Sequence, residues 1–191
     1  EGGDWQVKAK SVSPGGWAFE FHNDLYPDVD DTAEIIMALH QLDLPSQREK
    51  RLAIDRGVNW VLGMQSSNGG WAAFDKDNTK FLISKIPFAD FGEALDPPSV
   101  DVTAHLVEMF GKLGYSQEFA PLKRACDYIK REQEADGSWF GRWGVNYIYG
   151  TGAVLPAMAA VGEDMSQAYI RRAVDWLVGH QNHDGGWGES C

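Results

Sequence analysis

Apolar and polar positions fall into two kinds of block along this chain. Ile35-Ile36-Met37-Ala38-Leu39, with Leu42 behind it, is apolar on nearly every side and reads as a helix from about Asp31 to Leu42. Leu52, Ile54, Val58, Trp60, Val61 and Leu62 recur instead along a charged stretch, which predicts an amphipathic helix from Gln47 to Met64 opened by Pro45-Ser46. The pair returns twice. Leu106–Leu113 and Val154–Val161 are apolar, and each is followed by a more charged helix. Before them, residues 1–27 are punctuated by Pro14-Gly15-Gly16 and Pro27 and read as loop, with Trp17-Ala18-Phe19-Glu20-Phe21-His22 as a short strand or extended segment.

The charged helices end alike, in Gln65-Ser66-Ser67-Asn68-Gly69-Gly70-Trp71, Gln133-Glu134-Ala135-Asp136-Gly137-Ser138-Trp139 and Gln181-Asn182-His183-Asp184-Gly185-Gly186-Trp187. Ahead of each, at a fixed distance, stand a basic, a small and an aromatic residue: Arg56-Gly57…Trp60, Arg124-Ala125…Tyr128 and Arg172-Ala173…Trp176. The apolar helices also open alike. Asp28-Val29-Asp30-Asp31-Thr32-Ala33 matches Ser99-Val100-Asp101-Val102-Thr103-Ala104 and, more loosely, Tyr147-Ile148-Tyr149-Gly150-Thr151-Gly152. This is an internal repeat of apolar helix, turn, amphipathic helix and Gln/Trp loop. Helices apolar all round are buried and amphipathic ones cover them, so the repeat predicts an all-α fold, an α/α toroid of two concentric helical layers, here as a partial barrel. Asp30, Asp101 and Tyr149 then take equivalent places at the starts of inner helices and point into one central cavity, with His105 one turn beyond Asp101 on the same helix face. Residues 72–98 interrupt the repeat as a long loop ending at Asp96-Pro97-Pro98 and carrying Phe74, Phe81, Phe88 and Phe91, too many rings for an ordinary solvated loop.

Composition narrows the function. A length of 191 residues sets a prior of one domain, and a net charge of −11 without a Lys/Arg run argues against a nucleic-acid partner. Cys126 and Cys191 form no metal-ligand pattern; Cys126 reads as a small buried apolar residue, and a reduced cytosolic setting is the default. No signal peptide is present, and no apolar stretch is long enough to span a bilayer. The chain opens at Glu1 without Met and stops just after the third Gln/Trp loop, as an internal fragment of a longer chain would.

The candidate chemistry centres on Asp28, Asp30 and Asp31, three carboxylates within four residues at the mouth of the first helix. Asp30 or Asp31 is the expected N-cap. One acid there is ordinary; three this close cannot all ionise cheaply, so one holds a proton at neutral pH. Paired carboxylates could hold Mg²⁺, but a positive His105 opposes a cation. The preferred reading is a Brønsted acid, strengthened by a cationic His105 and the helix dipole, facing a cavity whose aromatic rings stabilise cations without reacting. That suits a carbocation reaction on an apolar substrate. The plainer readings are an over-acidic cap on a solvated helix, a core histidine at His105, structural roles for Trp71, Trp139 and Trp187 in stacking on the Gln amides and tying inner to outer helices, and plain core for Trp143, Phe19 and Phe74.

The Asp28–Ala33 motif together with the Gln-x-x-x-Gly-x-Trp loops strongly resembles the squalene–hopene cyclase family of prokaryotic class II triterpene cyclases. Gly15-Gly16-Trp17-Ala18-Phe19, Ile86-Pro87-Phe88, Asp101-Val102-Thr103-Ala104-His105 and Gly137-Ser138-Trp139 through Tyr147 fit as well. The resemblance implies cyclisation of squalene to hopene, with some hopanol, and no metal or redox cofactor. Asp30 would be the proton donor, His105 its hydrogen-bonded cationic partner, Asp28 and Asp31 the rest of the acid cluster, and Tyr149 an orienting group. Phe19, Phe74 and Trp143 would line the cavity, Asp101 and Phe91 would belong to the substrate site, and Phe88 would sit near the channel constriction. The family fold has two α/α-barrel domains; residues 1–191 are most of the one bearing the acid motif, without the second barrel. Members are monotopic enzymes on the cytoplasmic face of the bacterial cell membrane, usually homodimers, that take substrate from the bilayer through parts outside this stretch, so the isolated piece is expected to be inactive. Phe74 stands where the family usually has Tyr, and Ala89 where a larger residue can stand. The Asp-x-Asp-Asp form favours squalene over oxidosqualene, because an alkene needs a stronger acid than an epoxide. The rivals are a class II cyclase acting on another polyprenoid and, from a different class, an α/α-toroid glycosidase using Asp30 and Asp101 as its carboxylate pair in a polar cleft; a pure scaffold would leave the Asp cluster unexplained.

Overall fold

A computed structural model describes residues 2–79 and 95–190. Among them are six α-helices and no strand: α1 Val29–Gln41, α2 Gln47–Met64, α3 Val100–Lys112, α4 Ala120–Arg131, α5 Tyr147–Ala160 and α6 Ala168–Gly179. The backbone divides into two compact units, Glu1–Ser67 with Trp71–Pro98, and Asn68–Gly70 with Ser99–Cys191.

The first unit packs α1 against α2. The helix expected from Gln47 to Met64 has those bounds because its start is well signalled: Ser46 caps it and accepts the Glu49 N–H at 3.3 Å. The helix expected from Asp31 begins two residues earlier, at Val29, and its cap is neither Asp30 nor Asp31 but Asp28. Three adjacent carboxylates are equally good caps by type. Asp28 takes the place because its extended backbone (φ −102°, ψ 132°) leads into the helix, and one carboxylate oxygen reaches the N–H of Asp30 at 2.7 Å and of Asp31 at 3.1 Å. Residues 17–22 are loop rather than strand, with a single bridge between Trp17 and Asp28. Gly57 is small because a Cβ there would press on Ile36 and the Trp17 ring; Ala125 and Ala173, its repeat equivalents, are fully buried.

In the second unit α3 packs on α4 and α5, and α5 on α6. α3 buries nine of its residues, while α4 buries Leu122, Ala125, Cys126, Tyr128 and Ile129 and leaves Lys123, Arg124 and Asp127 exposed. This is the alternation of apolar and amphipathic helices that the sequence pattern predicts. Cys126 is fully buried, and burial pushes its thiol up to about 12, so it behaves as an inert apolar residue.

The repeated loops have a common geometry that explains their residue types. Gly69, Gly137 and Gly185 have φ of +97°, +100° and +87°, a region a Cβ disfavours. Space is also short there: a Cβ on Gly69 or Gly137 would meet the backbone of Arg124 or Arg172. The indole N–H of Trp71, Trp139 and Trp187 donates to the carbonyl ten residues back, that of Val61 (2.6 Å), Ile129 (2.8 Å) and Leu177 (2.8 Å). The backbone N–H of Trp139 donates to Thr151 Oγ1 on α5 at 3.0 Å. Trp139 therefore fastens the end of α4 to the start of α5. The Gln amides act through hydrogen bonds. Gln133 donates to the carbonyls of Gly137 (2.8 Å) and Tyr169 (2.9 Å) and accepts from Arg172 (2.8 Å), and Gln181 donates to Gly185 (2.7 Å).

A fourth copy of this loop precedes α1. Trp17 donates its backbone N–H to Thr32 Oγ1 at 2.9 Å, as Trp139 does to Thr151, and a Cβ on Gly15 would run into the Arg56 carbonyl. Ser11 stands where the other copies have Gln, which hides the copy from pattern matching.

Candidate active site

Within the first unit the acid cluster is built on the opening turn of α1. Asp28 is the cap, Asp30 and Asp31 are the second and third helical residues, and Thr32 donates to the Asp28 carbonyl at 2.6 Å. The Val29 N–H, which has no partner within the helix, donates to Ala73 at 2.8 Å. Asp28 sits largely out of water, and that desolvation, with Asp31 and Asp30 adding repulsion, raises its carboxyl from 3.8 to about 7 against the two N–H bonds that lower it. Asp31 is also raised, by burial first and by Asp30 second. The expectation that one acid holds a proton near neutrality thus falls on Asp28, with burial ahead of mutual repulsion as the cause.

This has a consequence for stability. The folded protein keeps the Asp28 proton to a higher pH than the unfolded chain does. Its contribution is complete below about pH 4 and is lost as pH rises toward 7, an effect of roughly 2–4 kcal/mol. Asp28→Asn keeps an oxygen for the two N–H groups and cannot ionise. It should remove most of the decline in unfolding free energy between pH 4.5 and 7.5, measured by urea unfolding across that range; an unchanged slope would assign the decline to other groups.

Phe19 and Phe74 share a cavity wall on the first unit. With Tyr26 they contribute three rings to a cavity of about 440 Å³, whose wall also includes Glu20, Asp75 and Asp96. Asp28, Asp30 and Asp31 are not in that wall. Phe19 is 81% exposed and Phe21 99%, so this rim of the unit is an open aromatic face. Phe88, Phe91, Phe81 and Ala89 lie outside the described residues.

In the second unit the structure brings together Asp101, His105, Trp143 and Tyr149. Asp101 is the second residue of α3, the position Asp30 has in α1, as the repeat alignment requires. It is fully buried and accepts the Trp143 N–H at 2.7 Å. That corrects the expectation of a substrate-lining Asp101: it has no exposed surface, and its carboxylate holds the loop that presents Trp143, itself half-exposed. His105 meets the Tyr149 ring edge-on, with ring centroids 6.3 Å apart. Gly141 and Gly144 leave the room for that ring, since a Cβ on either would press into it. Tyr149 is the third residue of α5, one later than the alignment with Asp30 implies, because Asn146 precedes the first helical residue.

Two residues to which the sequence reading gave no role complete these arrangements. Glu189 accepts the N–H groups of Asn146 (2.7 Å), Tyr147 (3.2 Å) and Ile148 (2.8 Å), closing the exposed end of α5. Asp96 accepts those of Phe74 (2.6 Å) and Asp75 (2.7 Å). Both act over more than 20 residues of sequence, a distance at which no spacing pattern forms. The threonines Thr32, Thr103 and Thr151, which recur in all three aligned segments, were the one legible sign of the loop-to-helix ties.

The family model of the squalene-hopene cyclase C-terminal domain matches residues 1–191. This chain belongs to the squalene–hopene cyclase family. It is 59% identical to a squalene–hopene cyclase of Alicyclobacillus acidocaldarius over 84% of this chain and 25% of the relative. It is 50% identical to one of Zymomonas mobilis over 99% of this chain and 29% of the relative. A probable squalene–hopene cyclase of Sinorhizobium fredii is 49% identical over 99% and 30%. The chain thus spans a quarter to three tenths of the length of these cyclases. Solved structures of a type II terpene cyclase from Scytonema share its fold. The apo form has a TM-score of 0.60 at 20% identity, covering 93% of this chain and 48% of that one. The product complex has 0.61 at 21%, covering 97% and 50%. The fold class is therefore that of the cyclases: all-α, of the α/α-toroid type, here part of a barrel.

Proposed function

We propose that these residues belong to a squalene–hopene cyclase, an isomerase that folds linear squalene into hopene by proton-initiated polycyclisation. The observation that carries the reading is the family match along the whole chain, and the three carboxylates gathered on the opening turn of α1 support it.

Asp30 gives a proton to the less substituted carbon of a terminal double bond. The alkene electron pair becomes the new C–H bond and leaves a tertiary cation. Each further double bond supplies the pair that closes the next ring. The last cation loses a proton to give hopene, or takes water to give hopanol. Hopene is an isomer of squalene, so the sequence of steps needs no oxidant or reductant. Asp28 and Asp31 complete the acid set, and in the second unit Tyr149 against His105 orients that ring. Phe19, Phe74 and Trp143 turn π faces to the cationic intermediates. Phe74 keeps a ring at its position and has no hydroxyl, which shifts the ratio of products rather than the reaction. The complete enzyme is read as a homodimeric, monotopic protein on the cytoplasmic face of the bacterial membrane that draws squalene from the bilayer.

The test is conversion of squalene by the complete, detergent-solubilised cyclase carrying this segment, with products identified by gas chromatography–mass spectrometry. Hopene is the expected main product. A folded enzyme that leaves squalene unchanged and cyclises another polyprenoid would contradict the substrate assignment.

A further inference from the structure

We infer that Asp96 is a positioning residue for cyclisation, holding the Phe74 ring in the cavity wall and tying its loop to the acid-bearing start of α1. The inference rests on the activity proposed above.

Asp96 is only 8% exposed, yet it is an acid in a wall that also carries Phe19 and Phe74. A single carboxylate oxygen accepts the N–H of Phe74 at 2.6 Å and of Asp75 at 2.7 Å. Two successive N–H groups turned on one side-chain oxygen fix the backbone at residues 74–75, and with it the direction in which the Phe74 side chain leaves the chain. Asp75 is held in turn by Asn78, whose amide donates to it at 2.8 Å, and Asn78 pairs with the Asp96 backbone. The outward link is Ala73, whose carbonyl accepts the Val29 N–H at 2.8 Å on the first residue of α1. A continuous chain of bonds therefore runs from Asp96 through residues 73–75 to the helix end that presents Asp30 and Asp31. Burying a carboxylate is costly unless N–H groups replace its water, and burial raises this one despite the N–H groups of Phe74 and Asp75. The other oxygen has no partner among the described residues. An acid held at that cost, with its bonds gathered on the loop of one cavity ring, sets geometry that a polycyclisation depends on. A shift of about 1 Å in a lining ring is enough to change the outcome of a positioned reaction.

The test uses the complete cyclase with three substitutions. Asp96→Asn keeps an oxygen for the N–H groups, Asp96→Glu keeps the charge but displaces it by one methylene, and Asp96→Ala removes the acceptor. Products from squalene are quantified, and amide hydrogen exchange is followed in the peptide covering residues 72–78. Expected are a parental product ratio for Asp96→Asn, at least a several-fold rise in incompletely cyclised hydrocarbons for Asp96→Glu and Asp96→Ala, and exchange at residues 73–75 at least 10-fold faster in Asp96→Ala than in Asp96→Asn. Parental product ratios in the folded Glu and Ala variants would overturn the inference. So would unchanged exchange in them. Should Asp96→Ala not fold, the Asn and Glu variants decide the matter by the same two readouts. Should the parent not turn over squalene at all, the cyclase reading fails, and the exchange rates still decide whether Asp96 holds the loop.

Discussion

Asp30→Asn should abolish cyclisation, lowering turnover by at least ~10³-fold while leaving the fold intact. Proton transfer from a positioned acid contributes about 10²–10⁴-fold in ordinary acid–base catalysis. In the proposed reaction it is also the only step that creates the cation, so nothing downstream would proceed without it. The substitution is nearly isosteric. Asp30 contributes its backbone N–H to the Asp28 cap, and that bond does not involve the side chain. Removing its charge also relieves the repulsion it exerts on Asp28 and Asp31, so stability should fall by less than about 1 kcal/mol. Retention of more than a few per cent of the parental rate would remove Asp30 from the role of acid. An equal loss of activity and of thermal stability would mean that the residue serves the fold.

The second large effect is on stability. Trp139→Ala should cost about 3–5 kcal/mol, the range for deleting a buried aromatic side chain, and lower the thermal midpoint of its domain by roughly 10 °C. Trp139 is fully buried. Its loss opens a cavity between α4 and α5 and leaves the Ile129 carbonyl with only the 3.2 Å bond from the Glu132 N–H. Trp187 makes the same bond to Leu177 but is 47% exposed, so Trp187→Ala should cost less than half as much. Scanning calorimetry of the two variants separates these outcomes. Equal losses would mean that the hydrogen bond, rather than burial, sets the value of the loop tryptophan.

How much of this was legible in the sequence follows from the range over which each interaction acts. The Gln/Trp loops were visible because their requirements are local: a left-handed turn at Gly69, Gly137 and Gly185, and an indole reaching back ten residues. α2 was legible to the residue because Ser46 and Glu49 signal its start. α1 was misplaced by two residues because Asp28, Asp30 and Asp31 are equivalent as cap types, and only the backbone geometry at Asp28 separates them. The loop copy before α1 was missed because Ser11 replaces its Gln. Within the site, the equivalence of Asp30 and Asp101 came from register alone and holds at the level of the helix. Register could not show that the Asp101 carboxylate turns onto the Trp143 N–H and not toward open space. Asp96 and Glu189 were not legible at all, since the groups they hold lie 21–22 and 41–43 residues away.

Proton initiation is the central claim, and its most direct measurement is the mass of the product formed in heavy water. The complete cyclase, equilibrated in D₂O, is incubated with squalene, and the hopene is analysed by gas chromatography–mass spectrometry. An acid cluster that exchanges with solvent delivers one deuteron to the terminal double bond, and one proton leaves at the end. The expected product is hopene one mass unit heavier than squalene, with the deuterium in the first ring. Hopene without deuterium, or no cyclised product from a folded enzyme, would contradict it.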